Sequence, residues 1–266
     1  MVVWDSDALR TPATAYAQTL AVISFMDRID LFRKFTDELF AEYKVLGIKT
    51  LADYEFEGKG SAAFMSDITR SKNSIHPFPY SDFKIHDELN FITKDIKYVT
   101  GMLHILRPFI NDSYRDQGHY HQTLEDSRYL MYANFGLQSI YNFWDRLGDL
   151  LFLFFKTGLT NDQVYFGRVI NNMEPIYKAT AAYRDLFDLY DQKVKSIFDT
   201  RHEAVHHFQL ECKHYWGNVE LRTDKPKLRA LNEEKRTYAD TMKEQLDICS
   251  KGFHLTLKLI NELPDK

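Results

Sequence analysis

The sequence predicts an all-α protein, an up-and-down helical bundle of about four long helices with additional short helices. Two observations predict this fold. Apolar residues recur at intervals of three or four over long stretches, as they do on the buried face of a helix. No window of four to eight residues alternates apolar and polar side chains in the way that a half-buried strand would.

The bulk composition narrows the class of protein. The 266 residues are 44% hydrophobic and 27% charged, which is typical of a globular chain and not of a disordered one. The formal net charge of -4 gives no overall basic excess, so any nucleic-acid binding must be local. Two cysteines, Cys212 and Cys249, are too few for a disulfide framework or a cysteine zinc site, which predicts reduced thiols.

No membrane partner is expected. The most apolar run, at 150–155, is far too short to span a bilayer, and the N-terminal residues lack the pattern of a signal peptide. We therefore expect a cytoplasmic location.

The first long helix is predicted from Thr11 and Pro12 to near Gly47, because a hydroxyl followed by proline is a typical helix start and glycine a typical end. Residues 51–85 lose the helical periodicity and predict a long irregular connection, with short helical turns. Glycine and proline punctuate it at Gly58, Gly60, Pro77 and Pro79. We interpret residues 1–85 as an N-terminal elaboration of a single domain spanning 1–266.

Apolar periodicity predicts the remaining helices, at about 87–110, 123–156, 162–173, 176–198 and 228–263. A further helical stretch covers 201–207, with Asp199 or Thr200 as a possible cap. A loop containing Pro226 is expected at 217–227.

The stretch 200–207 reads Thr-Arg-His-Glu-Ala-Val-His-His and concentrates the reactive side chains. His202, Glu203 and His206 match the H-E-x-x-H zinc pattern, in which two histidines share one helical face and the glutamate serves as general base. The context is unfavourable, because the cationic Arg201 adjoins the first ligand and no third ligand follows at the usual spacing. A zinc hydrolase is one alternative.

Taken from Arg201, the same residues resemble the R-x4-6-H motif of the HEPN domain family. Arg201 and His206 have the shorter spacing, and a polar residue, His202, follows the arginine. The family's fold is an all-α bundle with the motif late in the chain, and this layout is similar to that of residues 85–262.

The resemblance implies a metal-independent endoribonuclease that needs no cofactor, forms a homodimer and acts on RNA or a nucleotide. By the same resemblance His206 would be the general base or acid, Arg201 would hold the scissile phosphate, and His202 would shape the site. Imidazole transfers protons near neutral pH, and guanidinium suits phosphate. A role as a toxin or defence effector, with an antitoxin partner, also follows only from the family. The other alternative is a non-catalytic module that binds RNA or a nucleotide.

Two residues are expected to support this site, Asp145 and Glu203. Asp145 lies in a helix among aromatic residues and is a candidate partner for Arg201, although it could instead face solvent beside Asp149. A spacing of five residues places Arg201 and His206 about 140° apart on a regular helix. The site should therefore form at a helix entry or be completed by a second subunit.

A neighbouring stretch combines basic and aromatic residues and could hold single-stranded RNA by stacking and charge. Its candidate RNA-binding residues are Trp216, Arg222 and Lys225. The alternative is an ordinary connection between helices, because Glu220 and Asp224 dilute the positive charge.

Overall fold

The computed structural model describes residues 12–76, 82–110, 122–207 and 209–266. The chain divides into two compact units, Met1–Leu46 and Gly47–Lys266. The described part of the first unit is one helix, α1 (Pro12–Leu46), which ends where Gly47 adopts a φ of 63°. A left-handed glycine after the last turn is a common helix end, which accounts for the predicted boundary. The predicted cap Thr11 lies outside the described residues.

The second unit is helical apart from a small hairpin. Its elements, in chain order, are a 3-10 turn (Leu51–Asp53), β1 (Glu55–Phe56), β2 (Lys59–Gly60), α2 (Ser61–Ser71), α3 (Asp82–Leu106), a 3-10 turn (Arg107–Phe109), α4 (Leu124–Phe154), a 3-10 turn (Asn161–Gln163), α5 (Phe166–Asn171), α6 (Pro175–Lys178), α7 (Ala181–Leu189), a π-helical turn (Tyr190–Val194), α8 (Lys195–His206), α9 (Leu210–Glu220) and α10 (Lys225–Asn261).

In the described part of the chain the long helices are α1, α3, α4 and α10, with 35, 25, 31 and 37 residues. The prediction of an all-α protein with about four long helices is therefore confirmed. None of the described helices has both the length and the apolar character needed to cross a membrane.

The core of the second unit lies between α3, α4 and α10. The apolar stripe whose spacing predicts α4 is buried, at Leu130, Leu137, Ile140, Trp144, Leu147, Leu151 and Phe154. The stripe whose spacing predicts α10 is buried too, at Tyr238, Met242, Leu246, Cys249, Phe253, Leu257 and Ile260. A Cβ added to Gly252 of α10 would lie only 2.5 Å from the Trp144 indole. This glycine lets the two helices pack closely around the largest side chain of the core.

The connection predicted at 51–85 contains more regular structure than expected. β1 and β2 form an antiparallel hairpin, and Glu57 and Gly58 at its turn have φ angles of 53° and 77°. Two successive positive φ angles match the right-handed twist of paired strands. Strands of two residues are too short for alternation to show in the sequence, and the 11 residues of α2 were also missed. Pro77 and Pro79 lie outside the described residues.

The single helix predicted at 176–198 is also wrong, because the chain breaks there into several pieces. α6 ends at Lys178, and Thr180 caps α7, since its hydroxyl accepts a hydrogen bond from the backbone N–H of Tyr183 at 3.2 Å. Threonine competes for backbone groups in this way and so favours helix starts over helix interiors. The π-helical turn then separates α7 from α8.

A buried ion pair joins α4 to α10. The Lys235 ammonium lies 2.9 Å from a carboxylate oxygen of Asp126, and both side chains are 0% exposed. Asp126 is also the third residue of α4 and takes part in a capping box, accepting a hydrogen bond from the backbone N–H of Thr123 at 3.2 Å. The pair therefore fixes the start of α4 against the middle of α10.

We expect Lys235→Met to lower the free energy of unfolding by about 3–5 kcal/mol, because the Asp126 carboxylate would stay buried without its cation. The matched control is Lys193→Met, which removes an exposed pair with Glu244 and should cost less than about 1 kcal/mol. Urea unfolding of the three proteins measures both values. Equal effects of the two substitutions would contradict the structural role of the buried pair.

Candidate functional site

The motif lies on α8, which packs against α4. α8 begins at Lys195 directly after the π-helical turn, so Arg201 is in the middle of the helix and His206 is its last residue. Of the two alternatives, a site at a helix entry is therefore ruled out, and completion of the site by a second subunit stays a prediction. π-Helical turns within helices frequently occur at functional sites, and here the turn precedes Arg201 by about two helical turns.

The Arg201 guanidinium is held against α4 by two uncharged side chains. Its Nε–H donates to the Oε1 atom of Gln138 at 3.0 Å, and its Cζ atom lies 4.2 Å from the centre of the Tyr141 ring. Arg201 is half-buried, and no carboxylate of the described residues forms an ion pair with it. Asp145, the candidate partner of Arg201, is thus not paired with it, and the contacts of the guanidinium are with Gln138 and Tyr141.

Asp145 has other partners on the same side of α4. Its carboxylate interacts with the Tyr141 hydroxyl and with the backbone N–H of Phe166. Burial, and then the nearby charge of Asp149, raise the pKa of Asp145 to about 6. Its Oδ1 atom is buried and accepts no hydrogen bond from any residue in the described ranges. Asp145 and Arg201 therefore both contact Tyr141, one at its hydroxyl and the other over its ring.

His202 and His206 face the same side of α8, as their spacing of four predicts. Their ring centroids are 4.3 Å apart, and both side chains are exposed. Glu203 is exposed too, but no group of three or more His, Cys, Asp or Glu residues in the described ranges is arranged to hold a metal ion. The H-E-x-x-H residues thus offer two nitrogen donors on one helix face, short of the three protein ligands usual for catalytic zinc.

Two cavities flank α8. The first, of about 280 Å³, lies between α4, α8 and the α8–α9 connection, and its lining consists of Asn134, Leu137, Gln138, Arg201, Ala204, Val205, His207 and Gln209. The second, of about 350 Å³, lies between α8 and α9, and its lining consists of Thr200, Glu203, Ala204, His207, Leu210 and Lys213. His207 contributes to both cavities, whereas His202 and His206 contribute to neither.

The predicted RNA-binding residues lie on and after α9. The loop expected at 217–227 is shorter than predicted, because α9 continues to Glu220 and α10 begins at Lys225. Trp216 is 52% exposed and packs edge-to-face on Tyr215, with ring centroids 5.4 Å apart. Arg222 and Lys225 are exposed, and no contact within the described residues joins either of them to Trp216.

Sequence reasoning missed the residues of α4 that hold the arginine. Asn134, Gln138, Tyr141 and Asp145 follow one another at intervals of four, three and four, so they form one ridge of α4. Asn134 accepts a hydrogen bond from the backbone N–H of Leu210 at 3.4 Å, at the start of α9. Polar residues at helical spacing beside an apolar stripe are the sequence signal of this ridge, and Asp145 is the one member that the sequence predicted to support the site.

The raised pKa of Asp145 predicts a pH-dependent stability. The pKa of Asp145 is about 6 in the folded protein, against an ordinary value of 3.8, which means that ionising Asp145 destabilises the fold. Asp145→Asn should therefore gain stability relative to the wild type as the pH rises from about 4 to about 6, with no further gain above about pH 7. Urea midpoints of both proteins across this range measure the difference.

Asp188→Asn, at an exposed position of α7, is the control for the loss of a carboxylate. If the difference in stability between Asp145→Asn and the wild type does not vary with pH, the pKa of Asp145 is not raised by burial and the prediction is wrong.

A comparison with known protein families found a match over the region that contains this site. A family model described as Cthe2314-like HEPN matches residues 85–266, which is more than half of the chain. The match includes α4, α8 and the Arg201 motif, and it leaves out α1 and the hairpin. No curated protein and no solved structure matches the chain. The chain belongs to the Cthe2314-like HEPN family, which confirms the resemblance seen at Arg201 and His206.

Proposed function

We propose that this HEPN protein is a metal-independent endoribonuclease in which Arg201 binds the scissile phosphate. The observation that carries the proposal is the state of Arg201, a half-buried cation without a carboxylate partner among the described residues, at the wall of a cavity. Gln138 holds the edge of the guanidinium by a hydrogen bond, and the ring of Tyr141 packs against its face. A fixed planar cation that is free of counter-charge is suited to bind phosphate and to stabilise charge that develops there.

The reaction needs only proton transfer and charge stabilisation. The ribose 2′-oxygen loses its proton to a base and bonds to the adjacent phosphorus, while the bond from phosphorus to the 5′-oxygen breaks. The leaving 5′-oxygen takes up a proton, and the products are a 2′,3′-cyclic phosphate and a 5′-hydroxyl. A histidine can fill both proton-transfer roles, since imidazole is basic and acidic near neutral pH.

Bound RNA would extend from the first cavity toward α9. Exposed Tyr215 and Trp216 offer aromatic surface for base stacking, and Arg222 and Lys225 offer positive charge beyond them. This arrangement would let an acidic protein bind RNA, because Tyr215 and Trp216 lie on α9, Arg222 lies in the turn that follows it, and Lys225 begins α10.

A homodimer forms part of the proposal. The face of α4 next to the arginine ridge exposes three large apolar side chains, Leu124, Met131 and Phe135, which are 59%, 50% and 47% accessible. This stripe lies directly before Gln138 on the same helix, so a second copy packed on it would bring two Arg201 sites close together. His206 of one copy could reach the Arg201 cavity of the other only in such a dimer.

A non-catalytic module that binds RNA or a nucleotide is the second candidate. The observation that favours it is the orientation of His206, which packs on His202 and does not line the Arg201 cavity. The same cavity would then bind a phosphate without any contribution from His206. A zinc hydrolase is less well supported, because the two histidines lack a third ligand within the described residues.

Arg201→Ala should reduce RNA cleavage on the order of 100- to 1,000-fold, as expected for the loss of a group that stabilises transition-state charge. Cleavage of labelled single-stranded RNA in excess chelator measures the rate. The control is Arg184→Ala, which removes an exposed arginine from α7 whose Nε also donates a hydrogen bond, to Thr180.

Three outcomes separate the candidates. Cleavage that persists in chelator and is lost in Arg201→Ala supports the ribonuclease. RNA binding without cleavage by the wild type indicates the binding module. Activity that disappears with chelator and returns with zinc contradicts the metal-independent mechanism.

The double variant Met131→Glu with Phe135→Glu should be monomeric, because two charges would face each other across the proposed α4 interface. Light scattering after size-exclusion chromatography should give twice the mass of one chain for the wild type and one chain mass for the variant. Phe91→Glu on α3, where the aromatic ring is 61% exposed, is the control. A dimer that survives the double substitution would place the interface elsewhere.

A further inference from the structure

The second cavity, between α8 and α9, lies outside the phosphate site and does not include Arg201 in its lining. Its volume of about 350 Å³ is in the range of small-molecule sites. Leu210 and Lys213 of α9 form one wall. Four residues at helical spacing form the opposite wall on one face of α8, namely Thr200, Glu203, Ala204 and His207.

This cavity adjoins the one that contains Arg201. Ala204 and His207 line both, so the two spaces lie on either side of the same two side chains. The side chain of Ala204 is a single methyl group, which leaves little material between the cavities. A nucleotide whose phosphate is bound by Arg201 can therefore extend its base into the cavity between α8 and α9.

The polar side chains on the α8 wall of this cavity are placed to accept hydrogen bonds. The Glu203 carboxylate, an acceptor only, forms no ion pair or side-chain hydrogen bond within the part of the chain that the structure describes. Thr200 donates its hydroxyl proton to the carbonyl of Ser196 at 3.0 Å, so its oxygen is left to accept. A ligand that fits against Thr200 and Glu203 must therefore present donors.

Guanine is the RNA base whose edge matches this wall. Its ring N1–H and its 2-amino group are adjacent donors, which can meet the two oxygens of one carboxylate. Adenine and cytosine place a ring nitrogen acceptor beside their amino group, and uracil has one N–H between two carbonyls, so each of them would turn an acceptor toward a carboxylate. Unpaired bases in single-stranded RNA are commonly read on this edge.

The other wall of the cavity complements the rest of the guanine ring. The Lys213 ammonium lies 2.6 Å from Glu234, which uses one of its three N–H donors and leaves others for the 6-carbonyl of the base. Leu210 is buried and, with the methyl group of Ala204, offers apolar surface to the ring. Both the charge and the apolar surface of the cavity thus suit a purine with donors on one edge.

We propose that the cavity between α8 and α9 is a guanine-binding pocket, in which Glu203 accepts hydrogen bonds from N1–H and the 2-amino group of the base. The inference rests on the proposed function, because Arg201 is taken to bind the phosphate of the same nucleotide. It adds a base preference to that site, so RNA would be cleaved next to guanosine. Glu203 determines specificity and takes no part in breaking the bond.

The test measures the binding of nucleoside monophosphates by calorimetry, without any cleavage step. The probes are guanosine, inosine and adenosine monophosphates with the phosphate at the 3′ or the 5′ position, since inosine differs from guanosine only in lacking the 2-amino group. The wild type should bind one of the two guanosine monophosphates roughly tenfold more tightly than its inosine counterpart, as expected when a bidentate contact is broken. This comparison needs no variant and so does not depend on the folding of one.

Three variants separate the base contact from the phosphate contact. Glu203→Gln presents an N–H where the base needs an acceptor, so the preference for guanosine over inosine should disappear. Glu220→Gln, at an exposed position of α9 that lines neither cavity, is the control for the loss of a carboxylate and should keep the preference. Arg201→Ala should weaken the binding of all the monophosphates by a similar factor. Thermal unfolding verifies that each variant folds.

The results distinguish the pocket from the ribonuclease. Equal affinity of the wild type for the guanosine and inosine monophosphates overturns the guanine pocket, and so does a preference that survives in Glu203→Gln. Cleavage of single-stranded RNA that depends on Arg201 leaves the proposed ribonuclease standing in both cases. A preference for guanosine that is lost in Glu203→Gln supports the pocket, even if a wild type that cleaves no RNA overturns the ribonuclease.

Discussion

Close packing around Trp144 sets the orientation of α4, and the functional groups of this helix depend on that orientation. The indole is fully buried, lies against Gly252 of α10 and packs edge-to-face on Phe166, with centroids 4.7 Å apart. A Cβ on Gly148 would lie 2.6 Å from the Phe166 backbone, so α5 also approaches α4 at a glycine. Helices packed this tightly cannot rotate without a cost in core contacts. The ridge that holds Arg201 is consequently fixed toward α8.

Two cationic side chains, Lys235 and Arg201, have opposite electrostatic environments. Lys235 is fully buried and is neutralised by Asp126, as a charge removed from water must be. Arg201 is only half-buried and contacts an amide and an aromatic ring, with no carboxylate partner among the described residues. Partial exposure makes this arrangement tolerable, since water still solvates the guanidinium. The first cation stabilises the fold. The second has no carboxylate partner in the described part of the chain, and this contrast is the basis of the proposal that Arg201 binds a phosphate.

Much of the fold could be predicted because apolar residues recur at helical spacing over long stretches of the long helices. The buried stripe of α4 and the buried edge of α10 agree with the sequence pattern at each predicted position. Short elements were missed where they have no period to detect, as in the hairpin at Glu55–Gly60. Breaks within a periodic region were missed as well, because the Thr180 cap and the π-helical turn at Tyr190–Val194 depend on local hydrogen bonds that apolar spacing does not report.

The sequence by itself determined the helical class, the family and the identity of the motif, since all three are properties of local residue order. Only the tertiary structure decided which of these side chains meet. Gln138 and Arg201 are 63 residues apart, and no spacing rule relates them. The rotation of α4 brings Gln138 and Tyr141 to the arginine, in place of the expected Asp145. The irregular backbone after α8 brings His207 to the Arg201 cavity, whereas the regular helix holds His206 beside His202.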